Sequence, residues 1–287
     1  MRRLATHPAL ALCLFLAACG GRTVNVNVPD AQSTATDSKS HVLVDLASPD
    51  LGYEVPKTDA TLPPLTRAVD ILFVIDNSGS MNQEQAKLSV NFGALLDMLQ
   101  VDNRELPNLH IGVVSTDLGA GNYTSIPSCE AISGDRGALQ SMARVPGCPT
   151  PTDPWISYNK GTHNVGGCAG DAMQCVKDAF RCISTLGIEG CGFEMPLESA
   201  RRAVDPMLNT NPGFLRDNAL LAVIFLTDED DCSAAKAQLF DPSQNGLSDP
   251  LGPLTSFRCF EFGIQCDIND RNTPGPRQGC VPAYDWL

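Results

Sequence analysis

The stretch DILFVIDNSGSM, residues 70–81, joins an apolar run to a polar turn and decides how the chain is interpreted. Five consecutive apolar residues, 71–75, precede Asp76, and Ser78 and Ser80 follow at alternate positions with Gly79 between them. A continuous apolar run of this length is typical of a parallel strand that is covered on both faces. The stretch therefore predicts a buried strand that ends in a turn rich in side-chain oxygens.

From residue 68 onward, strand patterns alternate with helix patterns. Apolar residues recur at helical spacing from Leu88 to Leu99, and a second strand is predicted at 109–115. A helix is predicted around 173–183, and another begins near Pro196 and should bury Leu197, Ala200 and Val204. A further all-apolar strand is predicted at 219–226. This alternation predicts an α/β fold with a parallel sheet flanked by helices.

Two segments, 118–168 and 232–287, are rich in Gly, Pro and Cys and lack a clear periodicity. Within the second, only a short helix at 233–239 is predicted. A long irregular segment is usually functional or held by disulfides. We therefore predict two Cys-rich loop insertions in one domain that spans residues 68–287.

The N-terminus has the features of an export signal. Arg2 and Arg3 precede ten apolar residues, 9–18, which is right for a signal peptide but too short to span a bilayer of about 30 Å. The run ends in LAAC, which resembles the bacterial lipobox. We therefore predict a lipoprotein signal peptide at 1–18 and lipidation of Cys19, with ordinary signal cleavage as the alternative.

Residues 19–67 are dominated by Thr, Ser, Asp and Pro and are predicted to be a flexible tether that carries the lipid anchor. The formal net charge is −13, and no basic run or basic-aromatic pattern is present. This composition excludes nucleic acid as an expected partner and is compatible with cation binding or simple solvation.

The cysteine count also favours export. Of 12 cysteines, Cys13 leaves with the signal peptide and Cys19 takes the lipid, and an even number in an exported chain predicts disulfides. Two helical turns, about 10 Å, separate Cys175 from Cys182, so these two cannot pair. The disulfide candidates are Cys129, Cys148, Cys168, Cys175, Cys182, Cys191, Cys232, Cys259, Cys266 and Cys280.

The spacing leaves the connectivity open. Cys182 with Cys191 and Cys129 with Cys148 are candidate pairs, because each could close a local loop. No Cys/His spacing in the sequence indicates a zinc site.

Polar residues follow two of the predicted strands directly. In open parallel sheets, ligands bind beyond the carboxyl ends of the strands. Asp76 and Asp228 each come immediately after an apolar strand, and Ser78 and Ser80 could direct their oxygens to the same point. Hard divalent cations prefer such oxygen ligands. We therefore predict a cation site here. The alternative is that either serine caps the following helix and that Asp76 accepts backbone N–H groups in a turn.

Three other acidic residues near the strand ends are not expected to bind the cation directly. Asp230 and Asp231 are expected to be solvated rather than to be ligands. Asp117, after the strand at 109–115, is expected to be an outer group at most.

The DxSGSM turn and the later strand that ends in TDE resemble the von Willebrand factor type A (VWA) domain over residues 68–232. Asp76, Ser78 and Ser80 match the first motif of its metal-ion-dependent adhesion site, and Asp228 matches the last. The resemblance implies a Rossmann-like sheet, Mg²⁺ (or Ca²⁺ or Mn²⁺), and protein binding or adhesion without catalysis.

The lipobox and the Cys-rich loops further resemble a group of bacterial lipoproteins that carry this domain. The resemblance implies a protein anchored by its N-terminal lipid to the cell envelope, at the outer membrane. Its partner would be an envelope or extracellular protein.

Two departures from the family pattern are present. The middle motif of the family supplies a Thr before a helix, whereas GCGFEMPLE, residues 190–198, offers Glu194 at the comparable place. Glu194 is predicted as a fifth metal ligand, and a favourable charge at a helix N-terminus is the alternative. The sheet of the family also continues after the TDE strand, whereas residues 232–287 show no such strand. Either the sheet is small or the chain stops early.

Two other functions are alternatives to a binding module. A Mg²⁺-dependent phosphohydrolase resembling the haloacid dehalogenase group would need an Asp two residues after Asp76, but Ser78 stands there. No GxSxG motif is present and no His is placed for a catalytic triad, so an enzyme is not expected. A structural envelope protein with a non-functional metal site is the other alternative.

Overall fold

A central mixed sheet organises the fold in a computed structural model that describes residues 12–17, 68–100, 106–270 and 272–283. These residues belong to one compact unit. The strands are β1 (Leu12–Ala17), β2 (Ala68–Ile75), β3 (Asn108–Ser115), β4 (Thr150–Pro151), β5 (Ile156–Asn159), β6 (Thr162–His163), β7 (Val165–Gly166), β8 (Ala219–Thr227), β9 (Ile264–Gln265) and β10 (Val281–Pro282). The helices are α1 (Asn82–Leu99), α2 (Ala172–Ser184), α3 (Pro196–Val204) and α4 (Phe257–Gly263), with a 3-10 turn at Ala237–Phe240.

The six-stranded sheet has the order β1-β8-β2-β3-β5-β6. The first four strands in this order run parallel, whereas β5 is antiparallel to β3 and β6 is antiparallel to β5. The predicted α/β class with a mostly parallel sheet is therefore confirmed. The expectation that 118–168 lacks structure of its own is wrong in part, because the β5–β6 hairpin extends the sheet and β4 pairs with β7.

Helices cover both faces of the sheet, which explains the uninterrupted apolar sequence of β2. Successive side chains of a strand point to opposite faces. Phe73 packs with Phe92 of α1 and Phe180 of α2, whose rings are stacked with centroids 3.6 Å apart. Leu72 and Val74 belong to a separate cluster on the other face, with alanines of α3.

The buried face of helix α3 differs from the predicted one. Its buried residues are Pro196, Ser199, Ala200 and Ala203, which repeat every three to four positions and define one face. Leu197 lies on the other side of the helix and is 50% exposed, so the prediction that it is buried is wrong.

The edge of the sheet next to β8 is formed by the N-terminal apolar run. Strand β1 pairs with β8 in parallel over six register positions, from Leu12 opposite Ala222 to Ala17 opposite Thr227. Among the described residues after β8, no strand joins this sheet. The signal peptide stays a prediction, and the predicted lipidation at Cys19 and the tether at 19–67 lie outside the described residues.

All ten cysteines predicted to form disulfides do so, but the two candidate pairs are wrong. The bonds are Cys129–Cys191, Cys148–Cys182, Cys168–Cys175, Cys232–Cys259 and Cys266–Cys280. The partners are exchanged because Cys182 stays on α2, whereas Cys191 lies in a second hydrophobic cluster together with Cys129. Cys175 and Cys182 are not bonded to each other, as their helical spacing predicted.

The C-terminal insertion is organised by one buried arginine. The 3-10 turn overlaps only the end of the helix predicted at 233–239, and α4 was not predicted. Arg258 of α4 is buried and donates hydrogen bonds to backbone carbonyls across the insertion. The acceptors are the carbonyls of Pro253, Leu239, Asp241, Gln244 and Gly252. A single guanidinium thus satisfies backbone groups that a regular element would otherwise pair.

A buried ion pair lies at the start of β2, opposite to the predicted site. Asp70 is 1% exposed and accepts from the backbone N–H and the Nε of Arg216, both at 2.8 Å. Arg216 also donates to the Asn108 side chain at 2.7 Å. The Nδ1–H of His110 donates to the Phe214 carbonyl at 2.8 Å, and burial lowers the pKa of His110. This pair joins β2, β3 and the segment that leads into β8.

None of the helices in the described part of the chain combines the length and the apolar character needed to cross a membrane.

Candidate metal centre

The register of the sheet brings two predicted ligand positions side by side. Strands β2 and β8 are parallel neighbours with Ile75 opposite Leu226, so Asp76 and Thr227 come next at the same level. The backbone N–H of Asp76 donates to the Leu226 carbonyl at 2.9 Å. Asp228 therefore emerges beside Asp76 at the carboxyl edge of the sheet.

Both carboxylate oxygens of Asp76 are fixed by short hydrogen bonds. Oδ1 accepts from the N–H of Ser78 at 2.8 Å, and Oδ2 accepts from the hydroxyl of Thr227 at 2.9 Å. Asp76 is fully buried, and this burial raises the pKa of its carboxyl group, with a smaller contribution in the same direction from Asp228. Each oxygen keeps a lone pair for a further partner.

A hydroxyl chain connects Asp76 with Asp228. The Oγ atoms of Ser78 and Ser80 lie 3.4 Å apart, and the Ser80 hydroxyl donates to Oδ1 of Asp228 at 3.1 Å. The alternative role for these serines is wrong, because the N-cap of α1 is Met81 and no side chain caps that helix. The serine oxygens instead face the strand-end carboxylates.

Glu194 is the least satisfied polar group at this edge. Its side chain is 0% exposed, and neither carboxylate oxygen has a hydrogen-bond partner in the described part of the chain. Burial, and then repulsion by Asp76 and Glu229, raises the pKa of Glu194 to about 8. Ser78 lies close enough to oppose this shift slightly. A buried polar group without a partner is rare in folded proteins and calls for a ligand or another explanation.

The alternative role for Glu194 was a favourable charge at the start of α3. Other residues fill that role. Asp231 accepts from the N–H of Leu197 at 3.0 Å, and the Ser233 hydroxyl accepts from the N–H of Glu198 at 2.9 Å. Asp231 is thus half-buried and bound to the helix start, so the expectation that it is solvated is wrong. Burial raises the pKa of Asp231. Asp230 is exposed, as expected.

Sequence reasoning missed Gln85, which fixes the turn that carries Asp76. Gln85 is buried in α1, and its Nε2 donates to the carbonyls of Asp76 and Gly187, both at 2.9 Å. Its Oε1 accepts from the N–H groups of Leu186 and Gly187 at 2.9 and 3.2 Å. The amide therefore joins the first motif to the loop that leads to Glu194.

Thr116 was also missed. Its backbone N–H donates to the Ile75 carbonyl at 3.2 Å, and its own carbonyl accepts from the N–H of Met195 at 3.0 Å. Its hydroxyl oxygen is buried and has no hydrogen-bond partner among the described residues. The available signal was its position directly after an apolar strand, the same signal that identified Asp76.

Asp117 lies in the loop that follows β3. Its Oδ1 accepts from the N–H of Gly119 at 2.8 Å, and burial raises the pKa of its carboxyl group. The acidic neighbours that contribute to this shift are Asp135 and Glu130, both from the insertion. Asp117 also accepts a hydrogen bond from the backbone N–H of Cys191, so it links the insertion to the segment that carries Glu194.

The donor set suits a hard cation. Asp76, Glu194 and Asp228 supply carboxylates, and Ser78 and Ser80 supply hydroxyls, which are ligands that Mg²⁺, Ca²⁺ and Mn²⁺ accept. In the described ranges, no group of three or more His, Cys, Asp or Glu side chains is positioned to hold a metal ion. A site at this edge therefore depends on hydroxyl oxygens as well as carboxylates.

No family model, curated protein or solved structure matches this chain. The resemblance to the VWA domain therefore depends on the motifs and on the geometry described above.

Proposed function

We propose that this chain is a lipid-anchored protein of the bacterial cell envelope whose VWA-like domain binds a divalent cation and a protein partner. The observation that carries the proposal is Glu194, whose two carboxylate oxygens are buried and unpartnered beside Asp76. Burying a carboxylate without a partner is unfavourable, and a dication is the partner that would compensate three carboxylates at one edge.

The ion would be held by Asp76, Ser78, Ser80, Glu194 and Asp228. Mg²⁺ fits this oxygen set, and Ca²⁺ or Mn²⁺ are the alternatives. When bound, it supplies positive charge that offsets the repulsion between the carboxylates of Asp76 and Glu194. The chain itself orients Asp76 through Ser78 and Thr227 and orients Asp228 through Ser80.

The charge balance favours an ion that is held mainly by the protein. Three carboxylates against a dication leave a net charge of −1, so an acidic side chain of a partner would meet a negative site. Like charges 4 Å apart cost about 4 kcal/mol near a protein surface. We therefore infer that the first role of the ion is to order the loops around the site.

Threonine in place of Glu194 tests this inference. The variant should bind Mg²⁺ less tightly than the original protein, because one anionic ligand is lost. It should also gain affinity for an acidic peptide, because the ion-loaded site becomes neutral. Calorimetry with Mg²⁺ and with a hexaglutamate peptide measures both changes. Unchanged Mg²⁺ affinity would exclude Glu194 as a ligand.

Ion binding itself is tested by calorimetry on the full-length protein with Mg²⁺, together with metal analysis before and after chelation. Asn in place of Asp76 or Asp228 should weaken binding by about 100-fold or more, since each change removes a charged ligand. The matched control is Asp230→Asn, which removes the same charge from an exposed residue nearby. Equal weakening by all three variants would indicate only a general effect of charge.

A structural envelope protein without a working metal site is the second candidate. It is favoured by the observation that the described residues hold no preformed cluster of three carboxylate, His or Cys groups. A melting temperature that neither Mg²⁺ nor a chelator changes would support it over the first proposal.

A further inference from the structure

The segment that carries Glu194 is held at its backbone and has little side-chain support at the carboxylate itself. We propose that the Cys129–Cys191 disulfide is the positioning element that keeps Glu194 in the cation site. The inference depends on the proposed function and adds to it a requirement for an oxidised chain.

Three backbone hydrogen bonds attach the segment to the rest of the site. The N–H of Gly190 donates to the Asn77 carbonyl at 2.8 Å. The Glu194 carbonyl accepts from the N–H of Cys232 at 2.7 Å, and the N–H of Met195 donates to the Thr116 carbonyl at 3.0 Å. These bonds fix the position of the segment relative to the carboxyl ends of the strands. Hydrogen bonds of this kind open and close individually, so they do not form a permanent tie.

Packing fixes the side chains on either side of Glu194. Phe193 and Met195 are both buried in the second hydrophobic cluster, where the Phe193 ring lies 4.6 Å from the ring of Phe240. Cys129 and Cys191 are buried members of the same cluster. The disulfide therefore joins the Glu194 segment to the first insertion at a point inside this cluster.

The attachment of the segment must withstand electrostatic repulsion on Glu194. Glu194 lies close enough to Asp76 and Glu229 to be repelled by both, and neither of its carboxylate oxygens has a hydrogen bond that would hold it there. The backbone of a short segment and the packing of Phe193 and Met195 keep the carboxylate at the sheet edge. The Cys129–Cys191 bond, three residues before Glu194, is the covalent link in that segment.

This arrangement couples the metal site to the compartment. Disulfides form and persist outside the reducing cytoplasm. In a chain whose Cys129 and Cys191 are still thiols, all the proposed ligand residues would be present. The position of Glu194 relative to the other ligands would not be fixed. The complete site is thus expected only in the exported, oxidised protein.

The test compares two disulfides in the full-length protein by calorimetry with Mg²⁺. The double variant C129S/C191S should bind Mg²⁺ about 10–100-fold more weakly, which is typical when a group that orients a metal ligand is removed. The control C266S/C280S removes a bond between the residue after β9 and the residue before β10, outside the second hydrophobic cluster. It should change the affinity by less than about 3-fold. Equal affinities for C129S/C191S and the original protein would overturn the proposal.

A double-mutant cycle with Glu194→Gln separates positioning from general loosening. If the disulfide acts through Glu194, breaking it in the Gln variant should leave the Mg²⁺ affinity of that variant unchanged. Fully additive losses would overturn the proposal. An original protein that binds no Mg²⁺ would instead refute the proposed function itself.

A second variant covers the case in which C129S/C191S does not fold. C129A/C191V keeps the buried cluster apolar and removes only the covalent tie. Circular dichroism confirms whether each variant is folded at the temperature of the titration. If neither pair folds, the bond is required for the whole domain rather than for the site, and the proposal is wrong.

Discussion

Glutamine in place of Glu194 should make the ion-free protein more stable at pH 8.5, by roughly 3 to 5 kcal/mol, and should have little effect near pH 4.5. The reason is the pKa of Glu194, which burial and the repulsion by Asp76 raise from 4.5 to about 8 in the folded state. Between these values the folded chain holds a proton that the unfolded chain has lost. The free energy of unfolding therefore falls as the pH rises from about 4.5 to about 8.

The measurement is urea denaturation in the presence of a chelator at several pH values. Asp76 also has a raised pKa and contributes in the same direction, so the difference between the original protein and E194Q measures Glu194 together with its repulsion by Asp76. The control is Glu198→Gln, because Arg201 and Arg202 lower the pKa of Glu198 to about 2. That change should not stabilise the protein at high pH. Parallel pH profiles for the original protein and E194Q would refute the prediction.

Mg²⁺ at 100 times its dissociation constant should narrow this difference in stability at pH 8.5 without reversing it. A ligand that binds only the folded state stabilises it by about 2.7 kcal/mol at 100 times its dissociation constant. The original protein gains this contribution, whereas E194Q has lost a charged ligand. A buried carboxylate that destabilises the ion-free protein but strengthens ion binding is the behaviour expected of a functional site.

Alanine in place of Asp70 should destabilise the protein by about 3–5 kcal/mol, because it leaves the Arg216 charge without its buried partner. Asp70 accepts from both the backbone and the guanidinium of Arg216. The free energy of unfolding at pH 7, measured in urea, checks this value. Asp217→Ala is the matched control, since Asp217 is exposed and adjacent to Arg216, and its effect should stay within about 0.5 kcal/mol.

The same variant also separates fold from function. Asp70 and Asp76 lie at opposite ends of the β2 segment, about 20 Å apart at the usual rise per strand residue. Asp70→Ala should therefore leave the Mg²⁺ affinity unchanged at temperatures where the variant is folded. A loss of stability below 1 kcal/mol would show that Arg216 finds another partner.

The parts of the fold that local sequence determines were predicted well. The apolar runs of β2 and β8 and the helical spacing in α1 and α2 are properties of short windows, and the structure confirms these elements. Asp76 and Asp228 could be placed at one edge because parallel strands end on the same side. The ligand set itself stays a prediction.

The parts that were missed depend on contacts between distant segments. Gln85 looks like an ordinary polar residue of a helix, yet its side chain binds a loop 101 residues away. The disulfide pairing depends on where residues 185–190 lead after α2, which no spacing rule shows. Asp70 could be read only as a polar residue at a strand start, because its partner Arg216 lies 146 residues further on.

The pairing of β1 with β8 has a consequence if the predicted signal peptide is removed. A peptidase that cuts before Cys19 would detach the strand that now satisfies the backbone of residues 222–227. The precursor would then contain one more strand than the processed form. Half-buried apolar side chains of β8 would border a row of unpaired peptide groups, which is the kind of edge that templates pairing with another chain.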